Sequence, residues 1–121
     1  MKHEKIFRAV RKLIDERELD GSNLETARDE LFALVEKDQQ CDWAYGLLAE
    51  INYWFGEDAE DAGDKLAFFE EGVACGESGV GINPDSLEAN FWLAVNRGSY
   101  GRWQFFRPDT FDRPALDRQQ R

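Results

Sequence analysis

At 121 residues the chain has the length of one domain and can bury one core, and with 42% hydrophobic residues, including nine Phe, four Trp and three Tyr, it lies outside the composition of disordered proteins. No apolar run approaches the roughly 20 residues of a membrane span, and the basic start Met1 to Lys5 leads into an amphipathic pattern, not the apolar stretch of a signal peptide. The net charge of −10 is uneven, since residues 18 to 100 hold nineteen acidic and four basic groups between basic ends, a field that repels nucleic acid and anionic lipid and favours cationic partners.

The first predicted helix covers 4 to 18, with Ile6, Val10, Leu13 and Ile14 on one stripe and charges between them. It ends before Gly21. Ser22 followed by Glu25 has the spacing of a capping box, and the second helix runs from there to about Lys37, with Leu24, Ala27, Leu31, Leu34 and Val35 turned inward. Asp42 is the expected cap of a third helix that is apolar nearly all round, from Trp43 through Phe55, with Gly56 as its left-handed stop.

The fourth predicted helix is the longest, spanning 59 to 80, with Ala59, Ala62, Leu66, Phe69, Val73, Gly76 and Val80 at alternating steps of three and four. Its opening acids, Glu57 to Asp61, sit where the helix dipole favours negative charge. Gly63, Gly72, Gly76 and Gly79 fall inside it, each costing about 1 kcal/mol of helix stability relative to Ala. The strip Gly72, Cys75, Gly76 and Gly79 is therefore expected to admit a neighbouring backbone, or the indoles of Trp54 or Trp92. Asn83 and Pro84 close this helix, and Asp85 with Glu88 suggests the next cap. The fifth helix is read as carrying Leu87, Phe91, Trp92, Ala94 and Val95 and stopping at Gly98; Tyr100, Trp103, Phe105 and Phe106 are expected to pack on the core. Pro108 and Pro114 make 108–121 a loose tail, leaving 1–107 as a single helical-repeat domain.

Asp42-Trp-Ala-Tyr-Gly-Leu-Leu-Ala and Leu87-Glu-Ala-Asn-Phe-Trp-Leu-Ala can be laid over one another, with Leu-Ala seventh and eighth in both copies. With Pro84 before the second copy, they resemble the first helix of a tetratricopeptide repeat, which implies an all-α fold of antiparallel helix pairs (α-α superhelix) with about five helices. The copies start 45 residues apart, so the intervening helix is longer than that of the usual repeat of about 34. The run Phe69 to Gly98, above all Asn83-Pro-Asp-Ser to Trp92-Leu-Ala, resembles the T-component family of TRAP transporters, helical proteins associated with periplasmic uptake of small organic acids and a hydrophobic cavity.

In tetratricopeptide proteins the concave face is lined by fixed positions of the first helix, which implies a groove of Trp43, Gly46, Glu50, Tyr53 and Trp54 with Glu88, Phe91 and Val95. An aromatic floor edged by carboxylates suits a protein or peptide partner with basic groups, or a small apolar or organic-acid ligand of a transporter accessory held between the third, fourth and fifth helices. The same aromatics would equally serve to complete a core, and exposed helix faces would suit a homo-oligomer. Catalysis is not expected. His3 is alone and near an end that should fray, so no histidine-based nucleophile or metal site can be assembled, and no cofactor motif is present. An EF-hand loop starting at Asp58 would put Phe69 where a bidentate Glu is needed, so the acids from Glu57 to Asp64 read as a helix start. Cys41 and Cys75 read as free thiols, and the chain as cytoplasmic, or periplasmic if a leader has been removed.

Overall fold

The computed structural model describes residues 1–105 and contains five α-helices and, among those residues, no strand. They are α1 (Glu4–Asp15), α2 (Asn23–Lys37), α3 (Asp42–Asp58), α4 (Ala62–Ile82) and α5 (Leu87–Gln104). The tail and the position of Phe106 lie outside the described residues. No helix among those described is long and apolar enough to cross a membrane.

Consecutive helices are antiparallel. Lys65, at the start of α4, reaches the end of α3, while Asn83, just past α4, donates to Asp42 at the start of α3 with 3.1 Å between Nδ2 and Oδ2. The odd-numbered helices run parallel, side by side, since Phe7 meets Trp43, Arg11 meets Glu50 and Arg17 covers Trp54 along α1 and α3, while Gly46 and Ala49 on α3 meet Ala89 and Asn96 on α5. α2 packs against α1 and α3, and α4 against α3 and α5. This is the expected helical-repeat bundle. α3 is its axis, with Ala44, Leu47, Leu48, Ala49 and Ile51 all buried.

α4 is one unbroken rod of 21 residues, and its glycines take a neighbouring helix, not an indole. A Cβ on Gly76 would lie 2.8 Å from Leu93 Cβ and 2.9 Å from its Cα, and one on Gly79 2.7 Å from Ala89 Cβ; Gly72 lies against the buried Asn96 amide. The glycine cost is thus offset by the approach of α5, whose buried face is Ala89, Leu93, Asn96 and Ser99. The apolar residues read for this helix lie mostly off that face: Leu87 and Phe91 are 82% and 59% exposed, Ala94 is exposed too, and Trp92 and Val95 are only half-buried. A notched helix accepts small or narrow side chains, so the large apolar ones are displaced to the outside.

The helix ends also differ from expectation. Gly56 does not stop α3; it sits inside the last turn because the Phe69 ring lies directly over it, and no glycine among the described residues has a positive φ. The end of α3 is satisfied by Lys65, whose ammonium donates to the carbonyls of Gly56 (2.9 Å) and Glu57 (3.0 Å) and lies 4.9 Å from the centre of the Trp103 ring. Gly98 does not stop α5, which continues to Gln104. Ser22 makes no capping bond because Asp20 takes both its hydroxyl (2.8 Å) and its amide (2.9 Å). Asp42 is the first residue of α3 and not its cap, and α5 is capped by Ser86, whose hydroxyl accepts from the Ala89 amide, instead of Asp85. α1 stops at Asp15, short of 18, and Asp61 caps α4 by accepting from Asp64. Tyr100 and Trp103 are half-buried as expected, whereas Phe105 is 66% exposed. His3 does not fray, because its Nε2 lies 2.9 Å from Asp38 Oδ2 and draws the Asp38 carboxyl below its usual range.

Candidate functional site

The parallel run of α1, α3 and α5 brings their side chains onto one shared face, and a basic first helix beside an acidic third gives that face an ionic centre. Glu50 is only 3% exposed and is surrounded by donors: Arg11 gives it two bonds, NH1 to Oε1 at 2.9 Å and NH2 to Oε2 at 3.1 Å, and Trp54 Nε1 gives a third at 3.0 Å. Arg11 also binds Asp15 one turn along, at 2.9 and 3.1 Å. The hydrogen bonds that Arg11 donates to Glu50, with the charge of Glu50 and the bond and charge of Asp15, outweigh desolvation and raise the guanidinium further above its ordinary value. Both partners are saturated from within the fold, so Glu50 is a structural strut, not a carboxylate waiting for a basic ligand.

Aromatic rings continue the face. Arg17 lies 3.7 Å above the Trp54 ring centre, Trp54 and Trp92 are 6.2 Å apart, Tyr53 touches both, and Phe91 stands edge-on to Trp92 at 4.9 Å. Between the ionic centre and the start of α5 opens a recess of about 460 Å³ lined by Arg11, Glu50, Leu87, Glu88, Phe91 and Trp92. It is positioned by Gly46, over which the first turn of α5 rides so closely that a Cβ there would lie 2.6 Å from Glu88 Cβ. Glu88 itself is half-buried and makes no ion pair among the described residues.

Of the residues predicted for a groove, the structure brings Glu50, Glu88 and Phe91 to the recess, with Tyr53 and Trp54 half-buried in the adjoining ring cluster. Trp43 is buried and packs edge-on to Phe7 at 5.1 Å, so it belongs to the core; Gly46 lies under α5; Val95 is half-buried one turn beyond Phe91. Sequence reasoning missed Arg11, Arg17 and Leu87 as members of this face. The available signal was the basic first segment beside the acidic middle of the chain.

A second hollow, of about 390 Å³ between α1 and α2, is bordered by Asp29, Glu30 and Lys37 and has no aromatic ring in its lining. The space among α3, α4 and α5, where a ligand chamber was expected, is occupied along the glycine strip by Ala89, Leu93 and Asn96. Among the described residues no three His, Cys, Asp or Glu side chains gather as a metal site would require, and both cysteines are buried and unbridged. No family model, curated protein or solved structure matches the chain.

Proposed function

We propose that the protein is a non-catalytic binding module, similar in plan to tetratricopeptide adaptors, that holds a peptide segment of a partner in the recess between α1, α3 and α5. The observation that carries this reading is Phe91, exposed with Leu87 at the lip of a recess whose floor is already saturated by the Arg11–Glu50 pair. Two large apolar side chains held open at a concave site are a cost in water unless something covers them. Because Glu50 is spent internally, recognition of a basic group falls to Glu88, which has no ion-pair partner among the described residues. The fitting peptide places one apolar side chain against Phe91, Leu87 and the Trp92 edge, and a Lys or Arg about one turn or two strand residues away, toward Glu88.

Peptides selected by display against the immobilised protein should be enriched in that apolar-plus-basic pattern. Phe91→Ala should weaken the best of them at least tenfold, and Glu88→Gln should weaken those with a basic residue by a few-fold, with circular dichroism unchanged because both positions face outward. No enrichment, or affinity indifferent to both substitutions, sinks the proposal.

A further inference from the structure

α5 has a second face, opposite the buried one, that no described residue covers. Leu87, Phe91, Ala94, Gly98, Gly101 and Phe105 follow one another in steps of four and three, which keeps them on one side of the helix. Leu87, Phe91 and Phe105 are exposed, and a Cβ added to Gly98 or Gly101 would meet nothing within 4 Å. The contrast with α4 is informative. There Gly72, Gly76 and Gly79 are each filled by a residue of α5, while Gly63 and Gly81 are not; on α5 Gly98 and Gly101 weaken a helix interior with no neighbour among the described residues.

The order of sizes along this face is self-complementary. If two copies of α5 are laid antiparallel about a two-fold axis at the level of residue 96, Leu87 meets Phe105 of the partner subunit, Phe91 lies over Gly101 of the partner subunit, and Ala94 faces Gly98 of the partner subunit. One axis produces all three layers, large side chains falling on large at the ends and into gaps nearer the middle, as knobs-into-holes packing of antiparallel helices requires. Charge agrees as well. On one flank Glu88, which makes no ion pair among the described residues, comes opposite Arg102 of the partner subunit, and Arg102 likewise makes none among them. Val95 meets its own copy between them. On the other flank Arg97, which would approach its own copy, is already neutralised by Glu77 at 2.9 Å.

We infer that the protein self-associates through this face of α5, as a two-fold antiparallel pair with a second copy of itself. The inference goes beyond the peptide reading: Leu87, Phe91 and Glu88 belong to both surfaces, so a second copy and a peptide would compete there, whereas Ala94, Gly98 and Gly101 do not line the recess. Sedimentation equilibrium on the full chain tests it. Wild type should run at twice 14.0 kDa, and Ala94→Arg, on an exposed helical position, should run at 14.0 kDa with unchanged helicity and thermal midpoint in dilute solution. Glu88→Arg and Arg102→Glu should each raise the dissociation constant at least tenfold, and the double variant should restore most of it. A wild-type monomer at several hundred micromolar overturns the inference. So does an Ala94→Arg chain that melts earlier without change of mass, which would mean that residues 106–121 cover the face instead. If Ala94→Arg is monomeric yet still binds the selected peptides, while Phe91→Ala does not, pairing and peptide capture are separate properties.

Discussion

Cys75 shows how far burial on α4 changes the chemistry of one side chain. Desolvation, reinforced by the negative charge of Glu71 and by the thiol's donation to that carboxylate, pushes the thiol up to about 12 from its ordinary 9.0. The nucleophilic thiolate is therefore nearly absent at neutral pH. Iodoacetamide at pH 8 should leave Cys75 unmodified over hours and label it within minutes once denaturant is added, as mass spectrometry can follow. The same shift fixes a sign for stability. In the unfolded chain the thiol loses its proton near 9 while the folded one keeps it, so the contribution is complete below about pH 9 and is lost as pH rises toward 12. The denaturation midpoint should fall across that interval, and less steeply in Cys75→Ser. Glu50 carries the complementary lesson. Its sequence position suggested a groove edge, but nothing in a one-dimensional pattern pairs residue 50 with residue 11, so its role as a strut became visible only with both helices in place.

For the helices, two kinds of glycine make opposite predictions. Gly76→Ala would press a methyl group into Leu93 near its backbone, and both helices would have to move apart; overpacking of this sort costs about 1–3 kcal/mol. Gly98→Ala adds the same methyl group to open space and should gain about 0.5–1 kcal/mol in helix propensity in dilute protein. Urea denaturation of the two variants decides between them, and equal effects would show that the α4–α5 contact is not as close as described. The existence, order and rough length of all five helices were legible from apolar spacing, and so was the notch in α4. The face of α5 was not, because large apolar side chains ordinarily mark the core, whereas the notches of α4 take Ala89, Leu93 and Asn96 and leave Leu87 and Phe91 outside. Gly56 and Gly98 looked like stops for a similar reason: sequence does not distinguish a glycine that ends a helix from one that makes room for a ring or stands open.

Across the molecule the joints are unequal. α3, α4 and α5 are locked by the glycine strip, by the Asn96 bonds to the carbonyls of Ala49 (3.0 Å) and Trp92 (2.8 Å), and by Lys65. α1 meets α3 through the Phe7–Trp43 edge contact, the Arg11–Glu50 pair and the Arg17–Trp54 stack. Arg11→Met should remove two of the three donors to a buried carboxylate and cost about 2–3 kcal/mol. Hydrogen exchange should then accelerate in α1 and α2 ahead of α3 to α5, because the loss falls on the joint between them. Uniform acceleration throughout would show instead that all five helices open as one unit. The recess straddles that same joint, so Arg11→Met should also weaken peptide capture without altering any residue of α5.

The notches in α4 carry a consequence for synthesis. A rod with so many flexible positions has little tendency to coil by itself, and although α3 precedes it, the helix that fills its notches is translated after it. During emergence from the ribosome, α3 and α4 therefore stand with Gly46, Gly72, Gly76 and Gly79 uncovered until about residue 104 has cleared the exit tunnel. Folding of the larger half of the chain is in this way deferred to its last helix, and a pause in translation between Ile82 and Gln104 is the interval in which the nascent chain most needs a chaperone.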